Sequence, residues 1–308
     1  MLALLGMIIV FGAVFGGFVL EHGNPWVLVQ PAELLIILGA AMGIVLVSNP
    51  WAVIVKMVQG SIATFRPPAH TSKSYLQNLR MLYELFVYAQ RGGGASAMEE
   101  HIEKPAESSI FKNHPEFLRD HVARDFVCDS LRMLVIGVTS PHELDLLMDL
   151  DIDIQRRGLQ EPVNALSRVA DSLPGLGIVA AVLGVVITME AVGGAPEVVG
   201  QRVAAALVGT FLGILLCYGV AGPMAARLEC IAETHSQFLQ VLRIAMLAFA
   251  RGASPILAIE YGRRSIPMEL RPSFVETETT IRRDAKIPAS PNPLEPRKGK
   301  VDVPVQAA

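Results

Sequence analysis

Four long apolar stretches limit what this chain can fold into more than any other feature of its sequence. They occupy residues 1–20, 34–55, 172–189 and 203–226. Each is long enough to cross a hydrocarbon core about 30 Å thick as a helix. Because 52% of the residues are hydrophobic and 18% are charged, the chain is also more apolar than an ordinary soluble domain. We therefore predict an all-α membrane protein with four transmembrane helices.

The first apolar stretch has the length of a signal peptide as well as that of a spanning helix. It lacks a positively charged start and a small-residue cleavage site before Glu21, so we expect a retained transmembrane helix. The second stretch contains Pro50 near its inner end, and we expect the helix to bend there.

The distribution of Lys and Arg predicts how the chain crosses the membrane. Residues 21–33 and 190–202 contain one Arg and no Lys between them, whereas residues 56–171 and the segment from residue 227 are rich in both. Positively charged loops stay in the cytoplasm. We therefore expect two periplasmic loops, both termini in the cytoplasm, and a large helical cytoplasmic domain between helices 2 and 3.

Local signals predict the helices of that domain and of the tail. Residues 75–89 have the apolar spacing of an amphipathic helix, which the glycines after Arg91 end. Ser140, Pro141 and Glu143 have the pattern of a helix start. Further helices are predicted at 98–102, at 115–134 and from Pro223 to about residue 250. We expect a helical tail over 227–286 and disorder over the Pro- and Lys-rich residues 287–308.

No pattern typical of an enzyme is found in a suitable context. The sequence lacks a nucleophile elbow, a phosphate-binding loop and a zinc-protease motif. Cys128, Cys217 and Cys230 are far apart and do not have metal-ligand spacing. We therefore expect neither an enzyme nor a bound metal or cofactor.

The apolar stretches also lack an acid or a histidine. A protein that moves ions across a membrane normally has a titrating group at membrane depth. Either this chain does not conduct ions, or a partner protein supplies the carboxylate.

Small residues and prolines mark the third and fourth stretches. Such residues allow helices to pack closely, either within one subunit or around an ion path. Thr210 belongs to the same small-residue surface, and its hydroxyl is able to bond to the backbone of its own helix. Pro174 and Pro223 are either simple kinks or hinges. The small residues are Gly177, Ala180, Ala181 and Gly184 in the third stretch, and Ala206, Gly209 and Gly213 in the fourth.

Several segments resemble the MotA family of flagellar stator proteins, within the MotA/TolQ/ExbB proton channel superfamily. The longest is ALVGTFLGIL at residues 206–215, followed by Pro223. Others are QPAEL at 30–34, EKPAES at 103–108, DSLPGLGIVAAVLGVV at 171–186 and RPSF at 271–274. The resemblance covers nearly the whole chain apart from the last twenty or so residues.

The resemblance implies a stator subunit of the bacterial inner membrane that converts ion-motive force into torque. Family members form a ring of five around two MotB chains, whose single spanning helix carries the proton-binding aspartate. Pro174 and Pro223 match prolines that couple proton flow to movement, and Thr210 matches a threonine beside the ion path. Such an arrangement explains why the apolar stretches of this chain lack an acid.

The resemblance also implies a surface that contacts the rotor protein FliG. Arg91 and Glu99 have the spacing of the family's rotor-contacting pair. Glu100 and Glu103 are candidates for the same role, and Asp151 is a weaker one.

Three alternatives remain open at this stage. Sodium-driven relatives have a threonine where this chain has Ala181, so we expect protons, with a sodium-driven stator as the alternative. An ExbB- or TolQ-like energiser of outer-membrane processes also surrounds a partner's aspartate, but those proteins have three spans. A membrane scaffold that does not conduct is a third possibility.

Overall fold

A computed structural model describes residues 2–137, 139–190, 193 and 195–284. Throughout this part of the chain the regular elements are helices, as predicted. The tail at 287–308, for which disorder is predicted, lies outside the described residues.

Twelve α-helices are resolved in the described residues. They are α1 Leu2–Leu20, α2 Pro31–Ser48, α3 Trp51–Ala63, α4 Ser72–Arg91, α5 Glu99–Glu103, α6 Pro115–Arg119, α7 His121–Ile136, α8 Pro141–Met189, α9 Pro196–Leu216, α10 Gly222–Ala250, α11 Pro255–Ser265 and α12 Phe274–Asp284. Short 3-10 segments occur at Pro25–Leu28, Ala95–Met98 and Phe111–Asn113.

Four helical segments have the length and composition needed to cross a membrane. They are α1, the segment Pro25–Ser48, α8 and the segment Pro196–Ala250. Their outward faces carry exposed leucine, isoleucine and valine side chains. The prediction of four membrane-spanning helices is confirmed.

The second spanning helix differs from its prediction at both ends. It begins at Pro31 rather than at residue 34, and it ends at Ser48 rather than bending. Asn49 is extended because the residue before a proline avoids the helical conformation. Its side-chain Nδ2 donates to the carbonyl oxygen of Val45 at 3.0 Å. The chain then restarts as the separate helix α3.

The third predicted span is the last part of the 49-residue helix α8. Its start follows the predicted capping pattern, since Glu143 N donates to Ser140 Oγ at 3.3 Å and Ser140 N donates to Glu143 Oε2 at 2.8 Å. Pro162 and Pro174 lie inside this helix. Each removes one backbone hydrogen bond without ending the helix.

The fourth spanning helix starts earlier than predicted and contains an irregular turn. It begins at Pro196, so part of the loop predicted at 190–202 is helical. Residues Cys217–Ala221 form a π-helical turn between α9 and α10. Pro223, the second residue of α10, has no backbone N–H to donate to the preceding turn. The wider π-helical turn accommodates this missing hydrogen bond.

The chain divides into two compact units. The first, here called the span unit, comprises the described residues of 2–68 and 154–235. Its main core cluster includes Ile37 of α2, Leu173 and Ala180 of α8 and Leu212 of α9. This cluster holds the three helices that form the candidate site.

The second unit, here called the loop unit, comprises the described residues of 69–153 and 236–284. The predicted helix at 75–89 is confirmed as α4, and its apolar face forms much of the core. Phe86 stacks on Phe249 of α10 with ring centroids 4.2 Å apart. The second half of α10, with α11 and α12, therefore belongs to this core and not to a separate tail.

Two helix predictions in the loop unit are wrong in detail. The helix predicted at 115–134 is split into α6 and α7 at Asp120, whose side chain accepts from Ala123 N at 3.1 Å and caps α7. The helix predicted at 98–102 is a 3-10 turn followed by the short helix α5.

The loop unit also contains a buried polar cluster. Glu84 is completely buried, and its two carboxylate oxygens lie 3.0 Å from Arg80 Nε and 3.2 Å from His114 Nε2. Because both carboxylate oxygens of Glu84 are paired, this cluster fixes the position of α4 against His114, the residue before α6.

Candidate functional site

Helices α8 and α9 approach each other closely where both carry glycine. A Cβ atom on Gly177 would lie 2.8 Å from the carbonyl oxygen of Gly209 and 3.1 Å from the Cα of Gly213. A Cβ atom on Gly213 would lie 2.9 Å from the Cα of Gly177. Real side chains do not tolerate such distances to backbone atoms, so the contact requires glycine at these positions.

Elsewhere along the contact between α8 and α9, a side chain from α2 also takes part. A Cβ atom on Gly184 would meet Ala206 at 2.7 Å and Glu33 Oε1 at 3.3 Å. A Cβ atom on Gly209 would meet Glu33 Oε2 at 2.7 Å and the Cβ of Ala180 at 3.1 Å. The carboxylate of Glu33 therefore lies between the two glycine-bearing helices.

Glu33 is the functional candidate that the sequence analysis missed. It was assigned to the periplasmic loop because the apolar stretch begins one residue later, yet it lies in the first turn of α2 and is 7% exposed. The expectation of no acid among the spanning helices is therefore wrong. The signal was present, since Pro31 at the first position and an acid two residues later are typical of a helix start.

Pro174 and Pro223 lie in different parts of the span unit. Pro174 is half-buried inside α8, next to Leu173, whose carbonyl oxygen faces Gly213. Pro223 is exposed at the start of α10, directly after the π-helical turn. Each proline therefore lies at a place where the backbone hydrogen bonding of its helix is weakened.

Thr210 and Ala181 lie beside the glycine contact and are half-buried. The Cα of Thr210 would be 3.3 Å from a Cβ on Gly177, and the backbone nitrogen of Ala181 would be 3.2 Å from one on Gly209. Ala181 offers no side-chain oxygen to an ion. Around Thr210, the α9 residues Leu207 and Ile214 are exposed, so this side of α9 is uncovered.

The predicted rotor-binding charges lie in the loop unit. Arg91 is the last residue of α4 and Glu99 is the first of α5, and both are exposed. The turn between them contains Gly93 and Gly94 with φ values of 86° and 138°, which glycine adopts readily. This turn lies in the connection between the end of α4, which carries Arg91, and the start of α5, which carries Glu99.

Glu100 and Glu103 have different surroundings. Glu100 is exposed; burial, and after it the charge of Glu100, raises the pKa of Tyr88. Glu103 Oε1 accepts from Arg132 Nε at 2.7 Å, and Arg132 also donates to Asp129 at 2.6 Å. The hydrogen bond that Arg132 donates to Glu103 is the main reason that the pKa of Arg132 is raised. Glu103 is thus held in a surface network.

Asp151 is half-buried and lies in the first part of α8, before the predicted span at 172–189. Two acids that precede it in α8, Asp145 and Asp149, pair with α10. Arg243 Nη2 donates to Asp145 at 2.6 Å and its Nη1 donates to Asp149 at 2.6 Å. Sequence reasoning did not anticipate this link, because the partners are far apart in the chain.

The amino-acid sequence is similar to those of known motility and chemotaxis proteins along most of its length. The chain is 39% identical to motility protein A of Salmonella typhimurium over 282 residues, which cover 92% of this chain and 95% of the relative. The chain belongs to the motility protein A family. Motility protein A of Escherichia coli has the same identity and coverage. Chemotaxis protein LafT of Vibrio parahaemolyticus is 36% identical over 89% of this chain and 96% of its own length.

Family models and solved structures agree with this membership. The model described as motility protein A N-terminal matches residues 4–93, and that of the MotA/TolQ/ExbB proton channel family matches residues 118–240. The fold resembles the structure of C. jejuni MotAB, with a TM-score of 0.73, 19% identity, and coverage of 88% of this chain and 98% of that one. It also resembles the flagellar MotAB stator complex of Bacillus subtilis, with a TM-score of 0.68, 23% identity, and coverage of 87% and 94%.

Membership in the motility protein A family confirms the stator interpretation over the ExbB- or TolQ-like alternative. The chain is a membrane protein of the family that supplies channel-forming stator subunits to the flagellar motor. The family is not a known enzyme family.

Proposed function

We propose that this chain is a proton-conducting stator subunit that works with a MotB-type partner. The partner would contribute a single spanning helix whose aspartate takes up the proton. The observation that supports this function best is the tight glycine contact of α8 and α9, with Thr210 on a side of α9 that the chain itself leaves uncovered.

The uncovered side of α9 has the properties expected of a place for the partner helix. Leu207 and Ile214 are exposed, and Thr210 lies between them at helical spacing. On α8, Ile178 and Val182 form a similar exposed apolar row. A partner helix packed on these rows would bring its carboxylate close to the Thr210 hydroxyl.

The single chain exposes more apolar surface than one partner helix would cover. The leucine and isoleucine side chains of α1, among them Ile8 and Ile9, are largely exposed. We propose self-association into a pentamer around a partner dimer, with lipid on the outer surface. The four crossings of the membrane, the two periplasmic loops, the cytoplasmic domain between the second and third spans, and the cytoplasmic location of both termini are part of this proposal.

The surface of the loop unit would act on the rotor protein FliG. Arg91 and Glu99 would form the main contacts, with Glu100, Glu103 and Asp151 contributing to the same electrostatic surface. Exposed charge pairs contribute little energy each and are weakened by salt. Their role would be to steer the rotor and set its register rather than to bind it tightly.

Protons rather than sodium ions are proposed as the driving ion. Ala181 provides no hydroxyl, and a hard cation such as sodium would have one fewer oxygen ligand there. A sodium-driven stator is the alternative.

The experiment is to express the chain with a MotB-type partner from which any segment that closes the channel, here called the plug, has been deleted. Acidification of the cytoplasm is then measured with and without external sodium. Proton influx that a partner Asp-to-Asn variant abolishes, and that does not depend on sodium, would support the proposal. If the assembled complex shows no influx, the chain acts as a scaffold and the conducting function is wrong.

A further inference from the structure

Glu33 lies in a socket made almost entirely of backbone and small side chains. Its Oε2 atom points at Gly209 of α9 and its Oε1 atom at Gly184 of α8. Ala180 and Ala206 complete the walls on either side. Because neither glycine has a side chain, the carboxylate reaches between the two helices at a level where larger residues would exclude it.

In the part of the chain that the structure describes, no hydrogen bond or ion pair compensates the charge of this carboxylate. Within the described residues, Glu33 Oε2 is buried and makes no hydrogen bond. An acid at this helix position often accepts a hydrogen bond from the backbone N–H of the cap residue, but Glu33 Oε2 accepts none from any described residue. A capping function therefore does not explain why the acid is there.

Arg202 is a charged residue on the same side of α9 as Ala206, one turn before it. Its Nη1 donates to the carbonyl oxygen of Ile187 at 3.2 Å and so binds the end of α8. Residues 172–189 of α8 and 203–216 of α9 carry no ionisable acid, base or histidine. The positive end of α2 favours a negative charge at Glu33 but does not replace a counter-ion.

We propose that Glu33 is a cation-binding group on the ion path of this chain, in addition to the aspartate of the partner. A buried carboxylate is costly unless a cation or a proton neutralises it, and acids among spanning helices are typical of ion pathways. Its ligand is a monovalent hard cation, either a proton or sodium. The inference rests on the channel function proposed above.

The glycines of α8 and α9 then have two separate uses. Gly177 and Gly213 face backbone atoms of the other helix and serve helix packing. Gly184 and Gly209 face the carboxylate and keep its socket open. The same small-residue pattern thus combines a packing site and a binding site along one pair of helices.

The test measures ion influx in the complex with an unplugged MotB-type partner. Glu33→Gln keeps the shape of the side chain and removes the negative charge, so influx should fall at least about tenfold while complex assembly is unchanged. Glu33→Asp should retain part of the influx. Glu197→Gln, which removes an exposed acid in the first turn of α9, is the matched control and should conduct like the wild type.

The outcomes separate this inference from the channel function itself. If the wild-type complex does not conduct, the proposed function fails. If the wild type conducts and Glu33→Gln conducts equally well, the proposal for Glu33 is overturned. Repeating the influx measurement with and without sodium distinguishes the two cations.

A second measurement leaves this chain unchanged and so does not depend on the folding of a variant. Infrared difference spectra between proton-loaded and sodium-loaded or alkaline conditions are recorded on the complex whose partner aspartate is replaced by asparagine. We expect a carboxyl carbonyl band of a water-excluded group to respond to the exchange. The absence of any responding carboxyl band would contradict the proposal.

Discussion

The carbonyl oxygen of Leu173 lies against Gly213, 2.6 Å from the position that a Cβ atom on that glycine would take. The two atoms belong to different helices, and the carbonyl belongs to the residue just before Pro174. The closest packing of α8 on α9 therefore occurs next to a proline.

Gly213→Ala should destabilise the α8–α9 contact. The added methyl group meets a backbone carbonyl and the Cα of Gly177, neither of which can rotate away. We expect a loss of about 1–3 kcal/mol in the free energy of unfolding, seen as a lower melting temperature of the purified complex. Gly158→Ala is the control, because a Cβ there meets nothing within 4 Å. Equal melting temperatures for Gly213→Ala and the wild type would refute the packing role.

Pro174→Ala should stop torque while leaving the amount of membrane protein nearly unchanged. Alanine supplies the backbone N–H that proline lacks, so α8 gains a hydrogen bond and becomes stiffer at this point. Swimming speed and the level of the protein in membranes are measured together. Pro162→Ala, at the other proline of α8, is the control and should swim. Normal swimming of Pro174→Ala would rule out the hinge role.

Reversing the charges of Arg91 and Glu99 should impair swimming without affecting assembly. Both side chains are exposed at helix ends, so Arg91→Glu and Glu99→Lys change the surface potential and not the core. Spreading in soft agar measures the effect, and co-purification with the partner checks assembly. Lys112→Glu reverses an exposed charge elsewhere in the loop unit as a control. If the reversed variants spread like the wild type, these residues do not contact the rotor.

Glu260 should make the stability of the loop unit depend on pH in acid. Hydrogen bonds from Arg263, followed by those from Arg264, lower the pKa of Glu260 from 4.5 to about 2. A lowered pKa in the folded state stabilises the protein above pH 4.5, and this contribution is lost as the pH falls from 4.5 through 2. After allowance for solvent screening, we expect a contribution of about 2 kcal/mol near neutral pH.

The measurement for Glu260 is the melting temperature of wild type and Glu260→Gln at about pH 7 and about pH 3. The difference between the two proteins should be large at neutral pH and should shrink in acid. Glu269→Gln, at an exposed acid in the following segment, should show no such change. A difference that is independent of pH would mean that the ion pairs with Arg263 and Arg264 are not the cause.

The sequence was informative wherever a single segment determines its own structure. The four spans follow from length and polarity, and the start of α8 follows from Ser140 and Glu143, whose groups bond to each other locally. The glycines of α8 and α9 were also singled out, because few other reasons exist for such residues in a spanning helix.

Features that depend on contacts between distant segments could not be predicted. Glu33 looked like a loop residue, since its burial depends on two helices more than 140 residues further along the chain. The helix predicted at 115–134 breaks because Asp120 caps α7, although its apolar pattern continues across the break. The pairing of Arg243 with Asp145 likewise has no local signal.

The π-helical turn at Cys217–Ala221 has a consequence for how mutations in this segment are interpreted. Such a turn is equivalent to one residue inserted into an α-helix, which rotates everything after it by about 100° relative to a regular helix. A helical wheel drawn continuously through Pro196–Ala250 would therefore assign the residues of α10 to the wrong face. Deleting one residue within the turn would restore a regular α-helix and leave Ala225 and Leu228 facing Val163 and Leu166, against which they pack.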